Sequence, residues 1–240
     1  MPETPSPIVT IDGPAGSGKS TVGQRLSLKL GWKFLDSGAL YRCFAYIASL
    51  RNIAVSDAKS IIDHLQEIDF RSIPSEDGSE AKILLNGEDV SSKIRAPLCA
   101  NLASKLAASP EIRKHLLKVQ RNYCSSEGLV ADGRDMGSVV FPDAVLKIYL
   151  TANLRVRAKR KYNQLHEQGI NAKFQKIYND IKKRDDRDSN RSYAPLTIPD
   201  GAFVLDASYL SFDKVTGRLV EEVEKVMKNK YWGAQYGDSH

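Results

Sequence analysis

Short apolar runs punctuate the chain at Ile8–Ile11, Lys33–Leu35, Leu129–Ala131, Val145–Leu150 and Phe203–Leu205, each bounded by polar or glycine-bearing segments. Runs of this length read as buried strands. Between the first two, Val22, Leu26 and Leu30 recur at helical spacing and Gly31 stands where a helix would stop, which predicts a strand-loop-helix unit. Strands separated by helices imply a parallel sheet covered on both faces.

The stretch from Ile68 to Val90 breaks this rhythm. IDFRSI and AKILL flank the turn-rich SEDGSE, and Asn86-Gly87 is a tight-turn signal, so a small antiparallel insert is predicted here. Leu102 to Gln120 reads as helix interrupted near Ser109-Pro110, and Phe212 to Lys230 carries Val215, Leu219, Val223 and Val226 on one face. No internal repeat or low-complexity tract is evident.

With 240 residues the chain suits one domain over 1–240. Its core would be formed by about 7–60 and 100–230, the insert by about 61–100, and a lid by about 157–191. Hydrophobic content of 42% with 27% charged residues is ordinary globular composition. No apolar run approaches the roughly 20 residues of a membrane span, so a soluble protein without membrane partners is expected. The start, MPETPSPIVTID, lacks the basic and apolar regions of an export signal. The three cysteines, Cys43, Cys99 and Cys124, lie too far apart to suggest a disulfide framework or zinc pair, in keeping with a reducing cytoplasm. A net charge of +6 fits either a nucleic-acid surface or a pocket for phosphates.

Motifs separate the two. Gly13-Pro14-Ala15-Gly16-Ser17-Gly18-Lys19-Ser20, followed by Thr21, matches the G-x-x-x-x-G-K-S phosphate loop and lies between an apolar run and a helix, where the chemistry requires it. Glycines let successive N–H groups point at phosphate oxygens, and the helix N-terminus adds partial positive charge. Lys19 is expected to reach the β- and γ-phosphates, and Ser20 to offer its hydroxyl to Mg²⁺. Such a loop establishes nucleotide binding without saying what is done with it.

Two further strand ends carry dense polar clusters, Asp36-Ser37-Gly38-Ala39-Leu40-Tyr41-Arg42 and Asp132-Gly133-Arg134-Asp135-Met136-Gly137. Ligands of open parallel sheets sit outside the carboxyl ends of the strands, so both clusters should face the phosphate loop. Asp132 stands where an acid would orient Mg²⁺ and its waters, or where it would simply cap a helix. A third cluster runs from Arg184 to Arg191, with Arg184, Asp188 and Arg191 at i, i+4 and i+7 of one helical face. Read alone, it is either a solvated surface or a set of cations that neutralises two phosphate groups brought together.

Taken together and in order, IDGPAGSGKST, LDSGALYR, ADGRDMGSVVFPDA and IKKRDDRDSNR resemble the bacterial-type cytidylate kinases, over nearly the whole chain. The resemblance implies an α/β fold of the P-loop NTPase kind: a five-stranded parallel sheet flanked by helices, a small antiparallel β insert in the acceptor-binding lobe, and a short mobile lid. It implies phosphoryl transfer from ATP, as co-substrate with Mg²⁺, to CMP or dCMP. By the same resemblance Arg42, Arg134 and Arg184 hold the acceptor phosphate, and Arg191 lies near the phosphoryl path. Ser37 and Tyr41 line that pocket, Asp188 holds the sugar hydroxyl, and Ser104, Arg113 and Asp135 meet the cytosine edge. Arg157 and Arg160 would begin the lid over ATP, although their basic helix also reads as a solvated surface. Lys19, Arg134, Arg184, Arg191 and Asp132 form the expected catalytic set. Ser20 departs from relatives that carry Gly at this position.

His64, His115, His166 and His240 share no spacing with the motifs, and an anionic phosphate acceptor needs no histidine base, so none is given a role. Two other readings stay open: a P-loop kinase of another small acceptor such as UMP, shikimate or gluconate, and a nucleotide-switched nucleic-acid-binding protein. On the kinase reading the partners are small nucleotides rather than nucleic acid, and a monomer is expected.

Overall fold

The structure, a computed structural model, describes residues 6–64, 68–76, 79–167 and 169–229. At its centre β1 (Ile8–Asp12) pairs in parallel with β6 (Leu129–Asp132) on one side and β7 (Leu146–Thr151) on the other. β2 (Lys33–Asp36) and β8 (Phe203–Asp206) complete a five-stranded sheet in the order β2-β6-β1-β7-β8. Every predicted run is one of these strands. Register matters for function: Ile11 and Asp36 both lie opposite Asp132, so Asp12, Asp36 and Asp132 all emerge at one edge of the sheet.

α1 (Lys19–Leu30) follows β1, with Val22 and Leu26 fully buried. It ends at Gly31, which adopts φ 67° so that its N–H reaches back to Leu28 O. α2 (Ser37–Leu50) begins directly after β2 because Asp36 caps it, accepting the Ala39 N–H at 2.8 Å. The sequence pattern did not reveal α3 (Ala58–Asp63), whose amphipathic run is a single turn and a half.

The insert is a three-stranded antiparallel sheet, β3 (Phe70–Ile73), β4 (Lys82–Leu85) and β5 (Glu88–Asp89). Asn86 and Gly87 take φ 51° and 81°, the two positive values a tight hairpin turn demands. Phe70, Ile83 and Leu85 point inward and join the main core, so the insert has no separate interior. Of the SEDGSE turn, Asp77 and Gly78 lie outside the described residues.

After α4 (Ser91–Arg95), the segment expected to be helical from Leu102 starts earlier, as α5 (Pro97–Leu106). Ser109 then caps α6 (Pro110–Arg121) by accepting the Ile112 N–H, which explains the interruption at Ser109-Pro110. Beyond β7, α7 (Leu154–Glu167) and α8 (Phe174–Asn190) form a helical hairpin. Ala158, Leu165, Ile177 and Ile181 give that hairpin a small hydrophobic cluster of its own, which also takes in Ala15 of the phosphate loop. α9 (Phe212–Met227) packs beside α1 with Val215, Leu219 and Val223 buried. Lys230, the expected end of this helix, and His240 lie outside the described residues. Among the described residues no helix is long and apolar enough to cross a membrane.

Candidate active site

The phosphate loop is built where β1 stops. Gly13 has φ 148°, and a Cβ there would lie 2.0 Å from Leu150 O on neighbouring β7, so only glycine lets the chain turn this close to the sheet. Gly18 precedes α1 at φ 98°, leaving the first N–H groups of the helix open toward the loop. Lys19 is 5% exposed and folds back over the loop, donating to Pro14 O at 2.8 Å and Ser17 Oγ at 3.3 Å. The Ser20 hydroxyl, at the exposed rim, donates to Asp132 Oδ2 at the end of β6. Thr21 lies one residue further along α1.

The loop is clamped from behind by the hairpin. Asp185 on α8 accepts the Ala15 N–H at 3.1 Å through Oδ1 and Arg157 Nη1 at 2.5 Å through Oδ2. Arg157 Nη1 also donates to Ala15 O at 2.8 Å, and its Nε to Ala152 O at 2.8 Å. Arg160 donates to Ser17 O at 3.1 Å while its guanidinium lies 5.2 Å from the Phe212 ring. These two basic residues are therefore bonded to loop carbonyls and are not a freely solvated surface.

Facing the loop, side chains from five separate segments meet. Asp135, buried, accepts Arg113 Nη2 at 2.5 Å on Oδ2 and lies 3.6 Å from Arg191 Nη2 through Oδ1. Arg113 also donates to Ala107 O at 3.1 Å and lies 5.4 Å from the Tyr41 ring. Arg134 Nε donates to Asp188 Oδ2 at 2.9 Å, leaving Oδ1 of that carboxylate for another partner. Ser37 Oγ accepts Gln120 Nε2 at 2.8 Å, and Ser104 Oγ accepts Arg187 Nη1 at 2.6 Å. Arg42 and Arg184 each bury an Nε that has no hydrogen-bond partner among the described residues. α8 ends at Asn190 with Arg191 as its C-cap; the Arg191 Nε bonds Ala194 O and its guanidinium reaches Asp135, 3.6 Å away.

Comparison with known proteins bears directly on this arrangement. A family model described as cytidylate kinase matches residues 9–225. The chain belongs to the cytidylate kinase family. A curated relative named cytidylate kinase from Shewanella piezotolerans is 44% identical over 220 residues, spanning 92% of this chain and 96% of its own length. Another of that name, from Shewanella sediminis, is 46% identical over 210 residues, 88% of this chain and 91% of its own. An uncharacterized protein from Eubacterium ventriosum shares the fold, with a TM-score of 0.50 at 13% identity over 92% of this chain and 99% of that one.

In this member of the family, electrostatics mark the same cleft. Burial, then the Arg134 charge, holds the Lys19 ammonium below the usual lysine range, and burial raises Asp132 opposite it. Burial, then Arg134, lowers Arg184 to about 10, with Arg42 adding to the effect. Burial pushes Asp188 upward, but Arg134 and Arg184 outweigh it and the carboxyl ends lower than usual. Arg184 thus lies close enough to Arg134 and Arg42 for the like charges to disfavour one another.

Three participants escaped the sequence reading. Asp185 was seen only as part of a charge run, and nothing in its spacing reveals that it grips the phosphate loop. Gln120 holds Ser37 from a helix otherwise read as amphipathic packing. Asp12 closes β1. Its carboxylate accepts the Met136 N–H at 2.8 Å and the Gly137 N–H at 2.7 Å, fastening the loop that carries Arg134 and Asp135 to the start of the phosphate loop. The signal was available: a charged residue closing an apolar strand needs a partner. Burial raises this carboxyl to about 7 although both N–H donors pull it down.

Proposed function

We propose that the protein transfers the terminal phosphoryl group of ATP to CMP or dCMP, giving ADP and CDP or dCDP. The observation that carries this reading is the pairing of two anion sites at one sheet edge, the Lys19 loop and the Arg42–Arg134–Arg184 cluster, beside a buried Asp135–Arg113 pair. A nucleotide switch would need only the first of these. A kinase of shikimate or gluconate would have no use for a carboxylate and a guanidinium set side by side to meet a base.

On this reading the loop N–H groups, Lys19 and Thr21 hold the β- and γ-phosphates, and Arg157 acts by keeping Ala15 in place. Ser20 and Asp132 offer a hydroxyl and a carboxylate, hard oxygen donors that suit Mg²⁺, which takes few protein ligands and keeps several waters. When bound with ATP, that ion offsets charge on the β- and γ-oxygens. Arg42, Arg134 and Arg184 take the acceptor phosphate, and Arg191 offsets charge along the transfer path. The acceptor is already an anion, so no general base is required. Ser37 and Tyr41 shape the pocket, and the open Oδ1 of Asp188 accepts from a sugar hydroxyl.

The base is read by complementarity. Cytosine presents an amino donor beside the N3 acceptor, whereas uracil presents a carbonyl beside an N3–H donor. Asp135 accepts from the amino group, and Arg113 and Ser104 meet the acceptors. The α7–α8 hairpin serves as the lid that excludes water from the γ-phosphate. The same reading has the protein act as a monomer in a reducing cytoplasm. Coupled ADP release with CMP, dCMP, UMP, AMP, shikimate and gluconate tests the proposal: CMP and dCMP should be turned over far faster than the rest, and preference for any other acceptor overturns it.

A further inference from the structure

Two carboxylates on one turn of α8 pin that helix to opposite sides of the cleft. Asp185 takes the phosphate loop, accepting the Ala15 N–H on Oδ1 and Arg157 Nη1 on Oδ2. Asp188 takes the loop after β6, where its Oδ2 accepts Arg134 Nε at 2.9 Å. Residues three apart on a helix are neighbours on one face, with Cβ atoms about 5–6 Å from each other. The helix between the two pins is thus a short, stiff spacer between the phosphate loop and the Arg134 loop. Arg184 adjoins the first pin and buries an Nε that has no hydrogen-bond partner among the described residues. Beyond burial, the charges of Arg134 and Arg184 lower the Lys19 ammonium, so these cations converge on the lysine of the phosphate loop.

We propose that Asp185 is a positioning residue for phosphoryl transfer: by fastening α8 to Ala15 it sets how far Arg134 and Arg184, and the acceptor phosphate they hold, stand from the γ-phosphate on the loop. The inference rests on the kinase reading above and goes beyond it. In the productive step an oxygen of the acceptor phosphate bonds to the γ-phosphorus as the bond from that phosphorus to the β–γ bridging oxygen breaks, and ADP leaves with the electron pair. The reacting atoms must begin in line and about 3–3.5 Å apart. Water attacking the same phosphorus gives ADP, inorganic phosphate and a proton, and a small, freely turning molecule needs no spacer to reach it. A grip on the loop alone would serve only the holding of ATP. A grip that also fixes the spacing favours the acceptor over water.

Asp185→Ala removes both contacts, and because Asp185 lies on the α7–α8 hairpin, outside the main core, a folded variant is expected. With ATP and CMP, kcat should fall about 10²-fold, and the inorganic phosphate released per CDP formed should rise about tenfold, because misplacement penalises the acceptor and not water. Asp185→Asn keeps the length of the side chain and an oxygen for the Ala15 N–H, so its ratio of phosphate to CDP should lie between those of the wild type and the alanine variant. Should the alanine variant fail to fold, the asparagine variant decides by the same ratio. A ratio no different from wild type, whichever way kcat or KM for ATP moves, would make Asp185 a grip on the loop alone and overturn the inference. The wild type separates the causes. If it forms no CDP from CMP, the proposed function falls and the spacing role with it; if it forms CDP and the ratio stays fixed in the variants, only the role of Asp185 falls.

Discussion

The two halves of the cleft are made in opposite ways. The ATP half is one contiguous segment, Gly13 to Ser20, in which backbone does most of the work and the one long side chain, Lys19, rests on the loop's own oxygens. The proposed acceptor half gathers side chains from α2, α5, α6, the loop after β6 and the end of α8. A backbone cradle recognises phosphate and is indifferent to what the phosphate is attached to. An assembly of distant side chains reads identity, and here Arg42 and Arg184 each bury an Nε without a hydrogen-bond partner among the described residues. Removing a group from the first half should therefore end turnover, whereas removing one from the second should change which molecule is turned over.

The largest effect should come from Lys19→Ala. It withdraws a positive charge from the transferring phosphates, so kcat should fall roughly 10²–10³-fold while the circular dichroism spectrum is kept. The ratio of CMP to UMP use in the residual activity should not move, and a changed ratio would show that the halves are not separable. Asp135→Ala should do the reverse. It leaves Arg113 buried without its carboxylate and cytosine without its acceptor, and the CMP to UMP ratio of kcat/KM should drop about 10- to 100-fold, far more than turnover of UMP itself.

A smaller effect probes the seam between the halves. Burial raises Asp12 to about 7 in the folded protein, above the unfolded value of 3.8. The folded state thus binds the proton more tightly. Its stabilising contribution is complete below pH 3.8 and is lost as the pH rises toward 7, at a rate of up to about 1.4 kcal/mol per pH unit. Urea unfolding of wild type and Asp12→Asn across pH 4 to 8 should show a steeper decline in the wild type than in the variant, which keeps the contribution of Asp132. Parallel curves would place the Asp12 carboxyl at an ordinary pKa, and the seam would then be held by a permanent carboxylate.

Legibility in the sequence followed the same division. Strands, the phosphate loop and the Asn86-Gly87 turn are local: each is specified by a few neighbouring residues, and each lies where the pattern put it. The charged run ending at Arg191 could be located but not interpreted from its spacing, because its partners lie on other elements. Helical periodicity could not show that the Arg191 guanidinium also reaches Asp135, which lies on the loop after β6. Asp185 is the sharper case. Its neighbour Asp186 is exposed, and only the approach of α8 to the phosphate loop distinguishes the two. The acceptor residues proposed above come from family resemblance, because periodicity does not point to them.

The hairpin of α7 and α8 carries a second consequence. Its small apolar nucleus of Ala158, Leu165, Ile177 and Ile181 is distinct from the main core, yet it includes Ala15. A nucleus of this size sustains only modest protection against local opening, so this segment forms a cooperative unit weaker than the sheet. When it opens, Ala15 loses its packing and the clamp of Arg157 and Asp185 goes with it. The loop proposed to grip ATP is thus buttressed by a unit weaker than the sheet: warming should silence the enzyme while the sheet is still intact, and cooling should restore it without any refolding of the core.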